Sequence, residues 1–338
     1  MKQTAVINSD NFSPAKDQQG IKRWLSRDEV KTVTAKSDWL GGWAIVRTWL
    51  IIAAVFAVVT QWTNPFTVLL AIVILGGQQL ALAILSHEAT HFTLFKTRSL
   101  NDGLTDWLCA RPVWLDVRRY REHHRRHHAH TGLVDDPDLS LVSPFPTSKG
   151  SLRRKFTRDL FGSTGLRRML GLLLMDAGVL KYTVAAEVET LPQDGRHWRN
   201  YSIDFSRNFA PVLITNLLLF GVLLAAGAGW AWWLWFGAYL STFSLFLRIR
   251  SIAEHACLED SDDMLKNTRT TQANWLARLT VAPFNVNFHV EHHLMASVPF
   301  YRLPELHQLL VARGAVTPVS GYRYVLNLAS AGSPMVTR

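Results

Sequence analysis

Histidine is the residue type whose distribution in this sequence points most directly to chemistry. Of the 13 histidines, all but His197 and His307 fall in three short clusters or at the isolated His255. The first cluster contains His87 and His91, and a separation of four residues puts both imidazoles on one face of a helix. Imidazoles gathered in this way are typical of a metal site.

The second and third clusters repeat this helical spacing. In the second, His124, His127 and His128 share one helix face. His123, His127 and His130 share another, so spacing alone leaves the choice between the two faces open. The third cluster has the same spacing without ambiguity, in His289, His292 and His293.

The surroundings of these histidines favour metal binding over protonation. Protonation of each histidine is disfavoured by the neighbouring imidazoles and by the arginines next to the clusters. The neutral imidazole is the form that binds a metal. About nine ligands exceed the four that tetrahedral zinc uses, so two metal ions of higher coordination number are predicted. Imidazole suits iron, copper and zinc alike, so the ligand type leaves the metal open.

Four apolar runs must position these clusters, and each approaches the ~20 residues that a membrane-spanning helix needs. Short connections without charged residues join the first run to the second and the third to the fourth, which predicts two antiparallel hairpins. Residues 104–115 and 166–184 are apolar but interrupted by charges, which indicates interfacial or re-entrant segments; the second could equally be a core helix of a cytoplasmic cap. The predicted spans are about 43–60, 66–85, 209–226 and 230–247.

Basic residues are concentrated between the two hairpins and after the fourth run. The formal net charge of +10 suits either nucleic acid or an anionic membrane face, and the apolar runs favour the membrane. Under the positive-inside rule the basic segments and both termini face the cytoplasm. The two cysteines, Cys109 and Cys257, are too few for a cysteine-ligated metal cluster and are expected to be reduced thiols.

The clusters resemble the three histidine boxes of the membrane fatty acid desaturase superfamily, which also contains sphingolipid desaturases, carotenoid ketolases and hydroxylases. The matching stretches are residues 87–91, residues 124–138 and residues 285–293, and residues 297–307 resemble bacterial lipid desaturases. The resemblance covers roughly residues 40–310. It implies nine metal ligands, namely His87, His91, His124, His127, His128, His255, His289, His292 and His293.

The resemblance also bears on the residues around these ligands. Some relatives carry an asparagine four residues before the isolated histidine, where it holds a metal-bound water, and this sequence departs from them with Ser251. His123 and His130 fall outside the matched pattern. Acceptors for the ring N–H groups of the ligands are expected among four acidic residues, Glu254, Glu291, Asp135 and Asp136.

The fold that follows is all-α: an integral membrane protein with four transmembrane helices and a cytoplasmic helical cap that carries the histidine boxes. A cytoplasmic N-terminal segment (1–38) precedes the desaturase domain (39–310), and a cytoplasmic tail (311–338) follows it. The resemblance implies a multi-pass protein of a bacterial inner membrane with both termini in the cytoplasm.

The function implied by the resemblance is that of an O2-dependent di-iron oxidoreductase, a desaturase that introduces a double bond into the acyl chain of a lipid and reduces O2 to water. Two iron ions (Fe2+/Fe3+) are the expected cofactor and O2 the co-substrate, with no catalytic residue expected beyond the metal centre. The sequence contains no Rossmann fingerprint, cysteine cluster or His-Pro-Gly-Gly stretch of a fused cytochrome b5 domain. Besides the membrane lipid or acyl substrate, the expected partner is therefore an external ferredoxin or cytochrome b5-like electron donor with its reductase, and no nucleic acid.

Three other functions stay open from the sequence alone. A hydroxylase or ketolase of the same superfamily would use the same metal centre. The first cluster also matches the HExxH motif of zinc proteases, with Glu88 as general base, although the other clustered histidines have no role there. A metal carrier would place ionisable ligands near the bilayer midplane, whereas these lie at the inner ends of the predicted spans.

Overall fold

The computed structural model describes Ile21 and residues 23–332, and these form helices joined by turns and loops. Within these described residues there is no β-strand, and strand-like pairing is limited to three isolated bridges. The predicted all-α class is therefore confirmed. Parts of the predicted N-terminal segment and C-terminal tail, residues 1–20, 22 and 333–338, lie outside the described residues.

The helices follow one another along the chain with short connections. Residues 106–110 form a π-helical turn, and residues 111–113, 229–231 and 283–285 form 3-10 turns. The α-helices are α1 (Arg27–Val33), α2 (Asp38–Gln61), α3 (Pro65–Thr90), α4 (Arg98–Asp102), α5 (Val117–His130), α6 (Leu139–Val142), α7 (Lys149–Leu160), α8 (Ser163–Asp176), α9 (Trp198–Ala225), α10 (Trp232–Leu240), α11 (Thr242–His255), α12 (Met264–Asn267), α13 (Trp275–Leu279), α14 (His289–Leu294), α15 (Leu303–Ala312) and α16 (Gly321–Ala329).

Within the described residues, three helices are long and apolar enough to cross a membrane. They are the helix that ends at Gln61, Pro65–Thr90 and Trp198–Ala225, which contain nearly all of the first three predicted spans. Each begins before the apolar run that predicted it, because polar residues on its N-terminal side continue the helix. The Asn64 side chain accepts hydrogen bonds from the N–H groups of Phe66 and Thr67 at the start of α3.

The fourth predicted span is a broken helix. Helix α10 ends at Leu240 and α11 begins at Thr242, with Ser241 between them at φ −104° and ψ −88°. The carbonyl oxygen of Tyr239, close to the break, accepts a hydrogen bond of 3.1 Å from the Arg168 guanidinium. The uncharged, largely apolar run predicted one continuous helix, and the structure instead has two helices that meet at Ser241.

Helix α3 is the central element of the fold. It contacts α2, α5, α10 and α11, and every residue from 75 to 90 is buried. Two polar contacts fix it against the broken helix: the Gln79 side chain donates to the Trp235 carbonyl at 2.8 Å, and the Thr242 hydroxyl donates to the Ile72 carbonyl at 2.7 Å. The helix that ends in the first histidine cluster is thereby held on several sides.

Gly76 allows α3 and α11 to approach closely. A Cβ atom at this position would lie 2.1 Å from the Thr242 hydroxyl oxygen and 2.8 Å from the backbone nitrogen of Phe243. A side chain could not be added without moving the backbone of α11, because a main-chain nitrogen cannot rotate away. The position therefore requires glycine for steric reasons.

We predict that Gly76→Ala lowers the free energy of unfolding by about 1–3 kcal/mol, the usual cost of overpacking a filled interior. Gly42→Ala is the matched control, because it also changes a helical glycine but meets no atom within 4 Å. Thermal unfolding of both variants in the same detergent would measure the difference. Equal melting temperatures for Gly76→Ala and Gly42→Ala would show that α3 and α11 are not packed as described.

Candidate metal centre

The ends of four helices deliver the predicted ligands to one place. His87 lies in the last turn of α3 and His91 caps it, while α5 carries His124, His127 and His128. His255 is the last residue of α11, and the third cluster lies on the short helix α14. All nine predicted ligands are brought together, and they form two neighbouring groups.

The first group contains five histidines. When one ring nitrogen is taken from each histidine, all five nitrogens lie within 4.8 Å of one another. The ring centroids of His87 and His124 are 4.4 Å apart, and those of His87 and His292 are 4.6 Å apart. The members are His87, His91, His124, His128 and His292.

The second group contains the other four predicted ligands. The same limit of 4.8 Å between ligand atoms is met by His127, His255 and His293. It is also met by His255, His289 and a carboxylate oxygen of Glu254. The Nε2 atoms of His255 and His289 are 2.8 Å apart. This group thus has fewer histidines than the first and includes a carboxylate at its edge.

The ring nitrogens are arranged as metal ligands would be. The Nε2 atoms of His124 and His128 are 3.0 Å apart, and those of His128 and His292 are 3.1 Å apart. Two nitrogens that share one metal at about 2.1 Å are separated by about 3 Å when they are adjacent ligands. Several buried ring nitrogens have no hydrogen-bond partner among the described residues: both of His87, Nε2 of His91 and Nε2 of His293. These orphaned donor atoms fit metal ions.

Burial keeps most of these imidazoles neutral. It lowers the pKa of His91 to about 3, with the Arg121 charge adding to the effect. Burial also lowers the pKa of His128, His292 and His293 well below the usual value, and neighbouring imidazoles lower it further. A neutral imidazole has a free lone pair, which is the state that a metal ligand requires.

His127 is the exception, because a carboxylate contacts it. Its Nδ1 atom lies 2.8 Å from Asp136 Oδ1. Burial opposes the charged form of His127, but the hydrogen bond to Asp136 and the nearby Asp138 charge outweigh burial and raise its pKa. With Nδ1–H donated to Asp136, the other nitrogen, Nε2, is left for a metal.

The four predicted acidic acceptors have different positions. Asp136 contacts a predicted ligand, as expected. Glu254 Oε1 lies 3.6 Å from Nδ1 of His289, which is too far for a hydrogen bond, and this Nδ1 has no hydrogen-bond partner among the described residues. Three of the four expectations are therefore wrong. Asp135 is exposed, and Glu291, although buried, accepts hydrogen bonds from Thr270 and His307 instead.

The two histidines outside the family pattern lie outside both groups. The ring of His123 pairs with Asp138 at 2.8 Å, and the ring of His130 contacts the Arg126 carbonyl of its own helix. The structure therefore resolves the choice that spacing left open, since His124, His127 and His128 face the cluster. Sequence reasoning missed Tyr120, whose ring centroid lies 5.4 Å from that of His124; its position one turn earlier on α5 was the available signal.

These features define a class of protein: a helical chain with helices long and apolar enough to cross a membrane, and with a buried histidine-rich centre that could hold metal. A model of the fatty acid desaturase family matches residues 60–319, and the chain belongs to this family.

Three curated relatives are similar to the chain at low identity. A dihydrorhizobitoxine desaturase of Bradyrhizobium elkanii is 27% identical over 72% of this chain and 67% of its own length. An sn-1 acyl-lipid omega-3 desaturase (ferredoxin) of Nostoc sp. is 25% identical over 71% of this chain and 65% of its own. A chloroplastic omega-6 fatty acid desaturase of Brassica napus is 22% identical over 67% of this chain and 49% of its own. The chain thus spans about two thirds of the first two relatives and about half of the third.

We predict that Asp136→Asn weakens metal binding by about 10- to 100-fold, the usual effect of losing a carboxylate that orients a histidine ligand. The amide keeps the size of the side chain but removes the charge that favours Nδ1–H on His127. Asp135→Asn, at the exposed neighbouring position, is the control. Iron affinity would be measured by competition with a chelator, and equal affinity in the two variants would contradict the orienting role.

Proposed function

We propose that the chain is an O2-dependent di-iron desaturase that introduces a double bond into the acyl chain of a lipid. The observation that carries the proposal is the pair of adjacent histidine groups, together with the family match over residues 60–319. A single catalytic zinc needs three protein ligands and leaves the remaining histidines without a role. All three relatives are desaturases, which supports the same reaction type.

Under this proposal the nine histidines are the metal ligands. The group of five histidines would hold one iron. The other iron would be held by His127, His255, His289 and His293. When bound, the two irons would supply the oxidising power that removes one hydrogen from each of two adjacent carbons; these two hydrogens, together with O2, two electrons from the donor and two protons, yield two molecules of water. A redox-active metal rather than zinc is required because an unactivated alkyl C–H bond cannot be ionised by a side-chain base, and the family match favours iron.

The chain itself positions the metal ligands and excludes water from them. All members of the third cluster are buried, and so are His87, His124 and His127. The Thr131 hydroxyl donates to the His127 carbonyl at 2.6 Å and lies 3.3 Å from Nδ1 of His293, which links α5 to α14 beneath the cluster. Excluding bulk water protects a reactive oxidising centre from side reactions.

We also propose four membrane spans, the fourth formed by α10 and α11, with the remaining helices as a cytoplasmic cap. The 26 residues of α3 extend about 39 Å at 1.5 Å per residue, whereas the hydrocarbon core of a bilayer is about 30 Å thick. The last turns of α3, which carry His87, would therefore project beyond the lipid. In this arrangement residues 1–38 and 311–338 flank a desaturase domain at 39–310, with both termini in the cytoplasm of a bacterial cell.

The zinc-protease alternative is disfavoured by the surroundings of Glu88. This carboxylate accepts hydrogen bonds from the Thr93 hydroxyl at 3.0 Å and the Phe300 N–H at 2.9 Å, and it is buried. A general base must be free to contact the water that attacks the peptide. Glu88 therefore has a structural role that joins α3 to the segment after the third histidine cluster.

We predict that cells expressing the wild-type chain gain unsaturated acyl chains and that cells expressing His292→Ala do not, because a ligand of the five-histidine group is lost. His130→Ala is the matched control, since it removes a histidine of the second cluster that lies outside both groups. Lipid profiling by mass spectrometry measures the outcome. A hydroxylated or oxo product would replace the desaturase proposal by the hydroxylase or ketolase one, and an unchanged profile with bound zinc would refute both.

The proposed electron donor is a ferredoxin or cytochrome b5-like protein with its reductase. Exposed cationic residues on α7, Arg153, Arg154 and Arg158, offer an attractive surface for an acidic donor. We predict that the rate with a ferredoxin falls as salt is raised, because the Debye length shrinks from about 10 Å at 0.1 M to about 3 Å at 1 M. A small uncharged reductant is the control, and a ferredoxin rate independent of salt would contradict an electrostatic encounter.

A further inference from the structure

Two arginines lie against the C-terminal ends of helices that carry metal ligands. Arg269 lies at the end of α11, whose last residue is His255, and Arg121 lies at the end of α3, which carries His87 and leads into His91. The last four carbonyls of an α-helix have no partner inside the helix, and a cation is favoured beside them. The two helix ends supply ligands to different metal groups, α11 to the second group and α3 to the five-histidine group.

Arg269 is buried, and its charge faces the backbone of α11. Among the described residues its guanidinium donates four hydrogen bonds, all of them to main-chain carbonyls. The shortest, to Ala256, is 2.9 Å long. The other three are 3.3 or 3.4 Å long and end at the carbonyls of Ile252, Ala253 and Cys257. These carbonyls lie on both sides of His255 in the chain, so Arg269 holds the backbone around this ligand.

The chain just before Arg269 contacts the imidazole of the same ligand. The Asn267 carbonyl oxygen lies 3.3 Å from Nδ1 of His255, and the Nε2 atom of His255 lies 2.8 Å from Nε2 of His289. When Nδ1–H is donated to Asn267, Nε2 is left for a metal. The segment 267–269 therefore contacts both the ring and the backbone of His255.

Arg121 makes the equivalent contacts at the end of α3. Its Nε atom donates to the Thr90 carbonyl at 3.0 Å, and one Nη atom donates to the Ala89 carbonyl at 2.8 Å and to the Asp102 carboxylate at 2.6 Å. Its guanidinium also lies 3.9 Å from the ring centroid of Phe92. Because Arg121 belongs to α5, it connects the end of α3 to the helix that carries two other members of the five-histidine group.

Both helix ends are followed by a backbone conformation that needs support. Phe92, two residues after α3 ends, has φ 56°, and so has Cys257, two residues after α11 ends. A residue other than glycine in this left-handed region costs free energy and persists only where the surrounding structure holds it. The guanidinium of Arg121 lies over the Phe92 ring, and that of Arg269 donates to the Cys257 carbonyl. Each arginine thus stabilises the turn that follows a metal ligand.

We propose that Arg269 and Arg121 are positioning residues, each for one metal ion. Arg269 holds His255 in place for the ion of the second group, and Arg121 holds His87 and His91 in place for the ion of the five-histidine group. The inference rests on the proposed function, because it assumes that each group holds one metal ion. Lysine cannot replace either arginine, because its single ammonium group lacks the planar fork that reaches several carbonyls at once.

Lysine substitution at each position tests the proposal when the iron of each group is followed separately. The full chain in lipid nanodiscs would be loaded with ferrous iron enriched in the Mössbauer isotope and titrated with a chelator, while Mössbauer spectra follow the two iron signals. His255→Ala and His91→Ala show which signal belongs to which group. Arg248→Lys is the matched control, because Arg248 also lies on α11 but donates to the Asp159 carboxylate of α7.

We expect Arg269→Lys to weaken iron binding in the second group by about 10- to 100-fold and to leave the five-histidine group unchanged, and Arg121→Lys to do the reverse. Arg269→Gln and Arg121→Gln, which keep N–H donors without the charge, should show the same selectivity. Arg248→Lys should lower the melting temperature but change the affinity of neither group, because its contacts lie away from the ligands.

Equal weakening of both groups in Arg269→Lys and Arg121→Lys would overturn the proposal, since a general loss of folding affects both groups together. Unchanged affinity in both variants, or an equal loss in Arg248→Lys, would also overturn it. Iron binding is measured without substrate. Selective losses in a chain that gives no unsaturated product with a donor present would therefore leave the positioning roles standing and refute the proposed function.

Discussion

The structure depends on one constraint: the ring nitrogens of a buried cluster of mostly neutral imidazoles need hydrogen-bond partners or metal ions. Each buried ring nitrogen without a partner costs about 1–3 kcal/mol, and His87 alone has two such atoms. Hydrogen bonds between histidines satisfy some of these atoms, but they leave others in both groups unpaired. Metal ions can satisfy the remaining lone pairs together, so metal binding and folding of this region should be coupled.

The helices around the cluster are arranged to meet this need. Helix α3 is buried from residue 75 to its end, and Gly76 lets α11 approach it closely. The break at Ser241 separates α10, which contains Trp235, from α11, which ends at His255. Glu88, buried and hydrogen-bonded to Phe300 N–H, then ties the first cluster to the chain that follows the third. The cluster is thus supported on the membrane side and on the cap side.

Local periodicity was enough to group most of the predicted ligands, because these histidines lie on helices. A spacing of four residues predicted that His124 lies beside His128 and that His289 lies beside His293. Spacing could not reveal that these two pairs belong to different metal groups. Nor could it separate Asp136 from Asp135, since the choice depends on a loop that turns back on α5. The partner of Glu291, His307, is 16 residues away on another helix. The break at Ser241 lies in an uncharged run in which the adjacent hydroxyl residues Ser241 and Thr242 are too weak a signal to predict it.

The most direct test of the account is the metal content and iron spectrum of the purified chain. Elemental analysis combined with Mössbauer and X-ray absorption spectroscopy would count the metal ions and identify their ligands. The account predicts about two irons per chain, both bound mainly by imidazole nitrogen and distinguishable because their histidine sets differ in size. One zinc per chain, or iron bound mainly by carboxylate oxygen, would contradict it.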